Sequence, residues 1–350
     1  NGQAAGEALF GYGGNDTLRG QGGADFLDGG AGNDQLHGQA GDAPLDGGAG
    51  NDTIGGGAFN IGNNIYTGEG ADTYLFGRGD GQDYLVDYDT AAGVIDKIVF
   101  KSGVASSDVQ VLRSEDNLLL KITGTADQIL VRAYFTNGGD TGWRIEEIRF
   151  ADEPATVWAL ADVIAKSLLG TAGNEAITGF ATHDVISGLA GNDTLRGGAG
   201  NDVISGGADF DQLHGEAGND TLDGGAGNDS MGGGSFNIGH GIYSGEGADT
   251  YLFGRGDGKD AIFDNDANAG VVDKVIFKTG VASSDIEFSR DDDHLILKIA
   301  GTTDQLLIRN YLANEGVTSW SVEELRFADE PSTVWTLADV KSKRLTGNAS

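Results

Sequence analysis

A nine-residue period constrains this chain more than any other feature. In the first half the nonapeptides begin at Gly11, Gly20, Gly29, Gly38 and Gly47; in the second they begin at Gly170, Gly179, Gly188, Gly197, Gly206, Gly215 and Gly224. The best formed read GGAGNDQLH, GGAGNDTIG, GGAGNDVIS and GGAGNDSMG. Position 6 is nearly always Asp. Position 8 is always large and apolar: Leu18, Leu27, Leu36, Leu45 and Ile54, then Ile177, Ile186, Leu195, Ile204, Leu213, Leu222 and Met231. Three residues around position 8 suffice for a very short strand with one side chain inward. The six before it form a turn, where glycine permits positive φ and leaves carbonyls uncovered. Two nonapeptides make one coil, so residues eighteen apart stack at the strand spacing of about 4.8 Å. Asp34 and Asp52 then meet on one edge. Two carboxylates that close repel unless a cation lies between them. Carboxylate and carbonyl oxygens suit Ca²⁺, which takes 6–8 oxygens in flexible geometry, better than Mg²⁺, which demands a tight octahedron.

The charge balance agrees. Asp and Glu number 54 against 22 Lys and Arg, a formal charge of −32. Nucleic acid and anionic membrane surfaces need a basic footprint, so neither is expected as a partner. Such acidity with 61 glycines is also a composition of disorder. Yet 39% of residues are hydrophobic and recur in order, which points to cations that neutralise the acids. The chain has no cysteine, which excludes disulfides, zinc-thiolate sites and thiol nucleophiles; metal ions can staple such a fold instead. The N-terminal NGQAAGEALF lacks the basic and apolar regions of a signal peptide, and no apolar run approaches the roughly 18 residues of a membrane span.

The chain is two copies of one unit. FGRGDG at Phe76 and Phe253, FNIG at Phe59 and Phe236, VASSD at Val104 and Val281, and RFADEP at Arg149 and Arg326 all recur at an offset of 177 residues. That register suggests two units cut from a longer tandem array, with further copies of the chain as partners. Each unit is expected to be all-β, a parallel roll followed by a β-rich segment that caps or extends it. The boundaries expected are 1–90 and 170–267 for the rolls, 91–169 and 268–350 for the β-rich segments. In the latter, DKIVF (96–100), VQVL (109–112), NLLLKI (117–122), QILVRAYF (128–135) and RIEEIRF (144–150) read as strands, with a hairpin turn at Ser114 to Asn117. TVWALADVIA (156–165) reads as a short helix after Pro154, with Val157, Leu160 and Ile164 at helical spacing.

The pattern GGxGxDxUx, repeated in register, resembles the RTX (repeats-in-toxin) nonapeptide, which folds as a Ca²⁺-bound parallel β-roll. The stretch from GDGQDYLVDYD to TVWALADV looks like the haemolysin-type calcium-binding related domain. The resemblance implies that each ion lies between turns n and n+2. Positions 2 and 4 and the Asp of one turn would meet positions 1 and 3 and the Asp of the other. Carried over, Asp34 and Asp52 share an ion with the carbonyls of Gly30, Gly32, Gly47 and Ala49. Asp16 and Asp34 share one with Tyr12, Gly14, Gly29 and Ala31. In the second copy the pairs are Asp184–Asp202, Asp193–Asp211, Asp202–Asp220 and Asp211–Asp229. Their carbonyls come from Gly191, Gly197, Gly198, Ala199, Gly200, Gly206, Gly207, Ala208, Gly215, Ala217, Gly224 and Ala226. The pattern breaks at Glu7 and Glu175, which replace Asp, and at Ala43, which removes the partner of Asp25. Asp42, one position early, is not expected to reach. In GEGADTYLFGRGDGQD (68–83) and GEGADTYLFGRGDGKD (245–260) the spacing stretches to eleven. There Asp72, Asp80, Asp83, Asp249, Asp257 and Asp260 are either further ion ligands or turn caps.

No catalytic pattern of the HExxH, G-x-S-x-G or P-loop kind occurs, so the chain is read as non-enzymatic. Arg78-Gly79-Asp80 and Arg255-Gly256-Asp257 spell an adhesion tripeptide but fall inside the Gly/Asp pattern and read as turns. Glu146-Glu147 and Glu323-Glu324 read as solvated edge residues, and His37 and His214 as surface residues. Tyr66, Tyr74, Phe76, Tyr84, Tyr134, Phe135, Trp143 and Trp158 read as core, with a glycan or peptide groove as the alternative. The resemblance implies type I secretion and folding outside the cell, at an extracellular or bacterial cell-surface location. Three functions are open: a structural repeat of an adhesin, surface-layer or filament protein; a non-catalytic secretion and folding module of an enzyme or toxin; and an adhesion module that binds glycan or peptide through Trp143 or Trp320.

Overall fold

The computed structural model describes all residues except 4, 69, 92, 140, 141, 144, 238–241, 244–246, 266–270, 314–321 and 346–350. The chain forms two compact units, Asn1–Ser167 and Leu168–Ser350. In the first, each nonapeptide supplies one three-residue strand, beginning with Ala8–Phe10, Thr17–Arg19, Phe26–Asp28 and Gln35–His37. Alternate strands fall in alternate sheets, and all pair in parallel eighteen residues on: Leu18 opposite Leu36 opposite Ile54, and Leu9 opposite Leu27 opposite Leu45. Leu27, Leu36 and Leu45 are fully buried. These short strands hold because position 8 of every turn contributes to one apolar column between the sheets, with a burial gain of about 1.5–3 kcal/mol per side chain.

The β-rich segment is not a separate layer. It lengthens the same two sheets. After Thr73–Phe76 and Gln82–Leu85, the last strands of the roll segment, Lys97–Phe100 and Glu147–Phe150 extend one sheet and Gln128–Val131 the other, all in parallel. The apolar columns continue as Leu45, Tyr74, Ile98, Ile148 and as Ile54, Leu85, Val131. The parallel run ends when the chain turns back. The hairpin Val109–Ser114 and Asn117–Ile122 adds antiparallel strands to one sheet, and Val157–Trp158 closes the other. The second unit repeats this order, from Ala176–Thr178 to Val334–Thr336.

Three details differ from expectation. The helix spans Leu160–Ser167, because Val157 and Trp158 pair with Arg149 and Ile148; Val163, not the exposed Val157, is its buried apolar residue. The strand within QILVRAYF stops at Val131: Ala133 takes a left-handed φ of 52°, and Tyr134 and Phe135 turn into the core. RIEEIRF forms a strand only over Glu147–Phe150, and its first residue lies outside the described set. No helix among the described residues is long and apolar enough to cross a membrane.

Candidate metal sites along the roll edges

Each roll carries two columns of acids, one per edge. In the first unit the backbone N–H of Asp16 donates to Oδ1 of Asp34 (2.7 Å), Asp34 to Asp52 (2.7 Å), and Asp52 to Asp83 (2.9 Å). The other edge runs Glu7 to Asp25 (2.8 Å), then Ala43 to Asp72 (2.8 Å) and Asp72 to Asp96 (2.7 Å). In the second unit one edge joins Glu175, Asp193, Asp211, Asp229 and Asp260. The other joins Asp184, Asp202, Asp220, Asp249 and Asp273.

One oxygen of each accepting carboxylate is spent this way. The other is not. Oδ2 of Asp16, Asp25, Asp34, Asp52, Asp72, Asp83, Asp193, Asp202, Asp211, Asp220, Asp229 and Asp260 is buried with no hydrogen-bond partner. A buried, unpaired carboxylate oxygen is costly, and these stand in columns. Burial, with the neighbouring acids adding to it, raises the affinity for protons: Asp52 and Asp220 are pushed up to about 6, Asp211 to about 7, and Asp83 and Asp260 to about 8.

The space beside each Oδ2 is shaped by a missing β-carbon. A β-carbon on Gly29 would overlap Asp34 Oδ2 and the carbonyl of Gly47, which belongs to the next coil. The same convergence occurs at Gly188 (Asp193 Oδ2, Gly206 O), Gly197 (Asp202 Oδ2, Gly215 O) and Gly206 (Asp211 Oδ2, Gly224 O). Position-2 carbonyls also face the following coil: those of Tyr12, Gly30 and Gly207 lie against Gly30, Gly48 and Gly225. At position 4, Gly14, Gly32 and Gly200 face Gly32, Gly50 and Gly218. Position-3 carbonyls are engaged in the backbone ladder, as in Gly14 N–H to Ala31 O, Gly32 to Ala49 and Gly200 to Ala217, each 2.8 Å; a carbonyl keeps a second lone pair. Among the described residues no three acidic or imidazole side chains form a metal cluster. What converges at each cradle is a carboxylate oxygen with a backbone carbonyl of the next coil, oxygen donors of the kind a Ca²⁺-sized cation takes.

The start of each roll departs from this. Glu7 Oε2 accepts from Gln3 N–H (2.6 Å), Glu175 binds both N–H and hydroxyl of Thr171 (2.9 and 2.6 Å), and Asp184 Oδ2 accepts from Phe180 N–H (2.6 Å). Those oxygens are taken by local turns.

Ala43 and Pro44 together alter the Asp25 position. In the second unit Asp202 N–H donates to Asp220 Oδ1 and Asp202 C=O accepts from Thr221 N–H, each 2.8 Å. Ala43 has no carboxylate and Pro44 no N–H, so Asp25 has neither contact, while its Oδ2 stays buried. Asp42 does not substitute. Its Oδ1 accepts from Ala71 N–H (2.8 Å), the bond that Asn219 makes with Ala248 (2.7 Å). It is a position-5 contact of the same kind as the ladder that Asn15, Asn33 and Asn51 form along the other edge.

The stretched repeats divide. Asp72, Asp83, Asp249 and Asp260 continue the columns. Asp80 and Asp257 do not: Oδ2 of each accepts from the N–H three residues earlier and pairs with Lys101 or Lys278 (2.8 and 2.9 Å). Arg78 bonds Asp108, and Gly79 N–H is held by Asp127, so the adhesion-like tripeptide is a tied-down turn. Glu146 and Glu323 are not solvated edge residues. They extend the columns by accepting from Asp96 and Asp273 N–H (2.9 and 2.7 Å). His37 and His214 are buried, not superficial, stacked on Phe59 and Phe236 at 4.0 and 4.1 Å. Burial lowers both to about 4, so they are neutral. Their signal was legible: FNIG supplies a Phe twenty-two residues after each histidine. Of the aromatics expected in the core, Tyr66, Tyr84 and Trp143 are only half-buried. Trp320 and His240 lie outside the described residues.

Comparison with known proteins agrees with this geometry. The RTX calcium-binding nonapeptide repeat matches residues 10–42, 45–60, 169–204, 178–213 and 205–237. The haemolysin-type calcium binding protein related domain matches 117–162 and 294–339. The iron-regulated protein FrpA of Neisseria meningitidis serogroup C is 40% identical over 78 residues, 22% of this chain and 7% of that protein, so the similarity spans only a small part of its length. The extracellular lipase LipA from Serratia marcescens covers 81% of this chain and 37% of its own at 18% identity and a TM-score of 0.21, a likeness that carries no argument. By its repeats, its parallel β-roll and its related domains, this chain belongs to the RTX calcium-binding nonapeptide-repeat proteins, whose repeats bind several Ca²⁺ ions.

Proposed function

We propose that the chain is a structural repeat module of a large secreted bacterial RTX protein of adhesin, surface-layer or filament type, non-catalytic, that folds on Ca²⁺ outside the cell. The observation that carries this reading is the exact 177-residue recurrence of one unit, acid columns included. In this reading Asp34 and Asp52 hold one ion with Gly30, Gly32, Gly47 and Ala49, and Asp16 with Asp34 holds another. The second-unit pairs Asp193–Asp211, Asp202–Asp220 and Asp211–Asp229 act likewise, while at Asp184–Asp202 the turn N–H of Phe180 already occupies Asp184 Oδ2. Asp72, Asp83, Asp249 and Asp260 extend the series. The segments 1–90 with 91–169, and 170–267 with 268–350, work as halves of one unit, because the roll needs ions and the strand-rich half has an ordinary apolar core.

Electron microscopy and sedimentation of the full chain with millimolar Ca²⁺ test the assembly. End-to-end particles are expected; a strictly monomeric chain at all Ca²⁺ concentrations would count against the filament type. A second reading, glycan or peptide adhesion, draws on one observation. The half-buried Trp143 ring lies 4.9 Å from the Tyr66 ring and 4.9 Å from the Tyr88 ring, and Arg132 lies 4.6 Å from the Tyr66 ring. Loss of Ca²⁺-dependent ligand capture in Trp143→Ala would favour it.

A further inference from the structure

The columns do not end where the nonapeptides end. At Asp72 and Asp249 a second type of arrangement begins, built on a tyrosine. Tyr251 is fully buried. Its hydroxyl accepts from Gly233 N–H (2.7 Å) and donates to Asp264 Oδ2 (3.0 Å). A β-carbon on Gly233 would overlap Asp249 Oδ2 and lie 3.0 Å from the Tyr251 hydroxyl, so Asp249 and the tyrosine share one small space. Asp264 is 2% exposed and its Oδ1 has no hydrogen-bond partner.

The first unit builds the same group independently. Tyr74 hydroxyl accepts from Gly56 N–H (2.7 Å), and a β-carbon on Gly56 would overlap both Asp72 Oδ2 and that hydroxyl. Asp87 is 3% exposed, and neither of its oxygens has a hydrogen-bond partner, nor does Oδ2 of Asp72. Asp96, which accepts from Asp72 N–H, is also buried. A buried carboxylate of this kind is neutralised by a proton or by a cation.

Two features favour the cation. The acids recur with their tyrosine at the same offset in both units, whereas a protonated acid serves the core no better than the isosteric Asn. In the second unit the tyrosine hydroxyl also holds the second carboxylate, Asp264, the outer-shell arrangement by which hydrogen-bond donors tune metal ligands. Residues 61–116 and 238–293 lie outside both matched families, so no nonapeptide pattern accounts for these sites.

We propose that Asp72 with Asp87, and Asp249 with Asp264, form one further divalent-cation site per unit, a Ca²⁺ site joining the roll to the strand-rich segment, with Tyr74 and Tyr251 as positioning residues. The proposal rests on the calcium reading of the nonapeptides; it shares Asp72 and Asp249 with that series and adds Asp87 and Asp264. Its test is the Ca²⁺ count of the full chain by equilibrium dialysis, with titration calorimetry alongside. The double variant Asp87→Asn and Asp264→Asn is expected to lose two ions and retain the nonapeptide ions. An unchanged count overturns this proposal alone, because Asn copies a protonated Asp in shape and charge. A wild-type chain that binds no Ca²⁺ overturns it together with the broader reading. Should the Asn variant fail to fold, Tyr74→Phe with Tyr251→Phe is expected to weaken two ions about tenfold while the rest titrate as before. An unaltered titration in that variant overturns the proposal as well.

Discussion

The backbone N–H of Asp34 donates to Oδ1 of Asp52, eighteen residues later, at 2.7 Å, and Oδ2 of Asp52 is left buried with no hydrogen-bond partner. One oxygen of the carboxylate locks two coils together. The other makes that lock expensive unless a cation is present.

Removal of Ca²⁺ should therefore melt the rolls. The columns of like charge repel, and the Gly-rich turns carry a large ordering entropy. Circular dichroism of the full chain in chelator should show loss of most β signal. Millimolar Ca²⁺ should restore it, and equimolar Mg²⁺ should not. A β signal indifferent to chelator would refute the account.

The ion-free fold should depend on pH in one direction. Asp52 and Asp220 at about 6, Asp211 at about 7 and Asp83 and Asp260 at about 8 all lie above the ordinary value of 3.8. The folded state binds more protons than the unfolded one, so stability is present below about pH 4 and is lost as pH rises towards 8. In chelator, β structure should grow on acidification across that window. Ca²⁺ binding should release protons, measurable as buffer-dependent heats.

Ala43→Asp with Pro44→Thr should add what the first unit lacks. The aspartate supplies the carboxylate facing Asp25, and the threonine returns the N–H that Asp25 C=O accepts at the corresponding Asp202. Calorimetry should find one additional ion. Ala43→Asp alone should give a weaker gain, since Pro44 still withholds its N–H.

Gly29→Ala should fill the cradle beside Asp34 Oδ2 and Gly47 O. Overpacking of this kind costs about 1–3 kcal/mol. Melting in Ca²⁺ should drop by a few degrees and the apparent Ca²⁺ affinity should fall. Gly62→Ala is the control: the nearest atom to its new β-carbon is 3.6 Å away, and it should leave both unchanged.

Much of this was legible before any coordinates. Position 8 announced the apolar columns, and the eighteen-residue spacing placed Asp34 against Asp52. What stayed hidden follows from irregular spacing. Ala43 meets Asp72 after 29 residues, Asp52 meets Asp83 after 31, and Asp72 meets Asp96 after 24. Once loops of unequal length separate the strands, no fixed period reports the stacking, so Asp96 and Glu146 gave no sign of joining a column. Asp80 and Asp72 look alike in sequence. Only the position of Lys101, brought over by its own strand, makes one a turn cap and ion-pair partner and leaves the other in the column.

The amide-to-carboxylate bonds give each acid column a polarity. The N–H of Asp16, Asp34 and Asp52 each reaches forward to the acid of the next coil, while ladder amides such as those of Gln35 and Thr53 reach back to Asp16 and Asp34. The two ends of a roll are therefore unlike: the first acid of a column has no coil before it to hold its carboxylate, whereas the last coils hand the column on to Asp96 and Glu146 in the strand-rich segment.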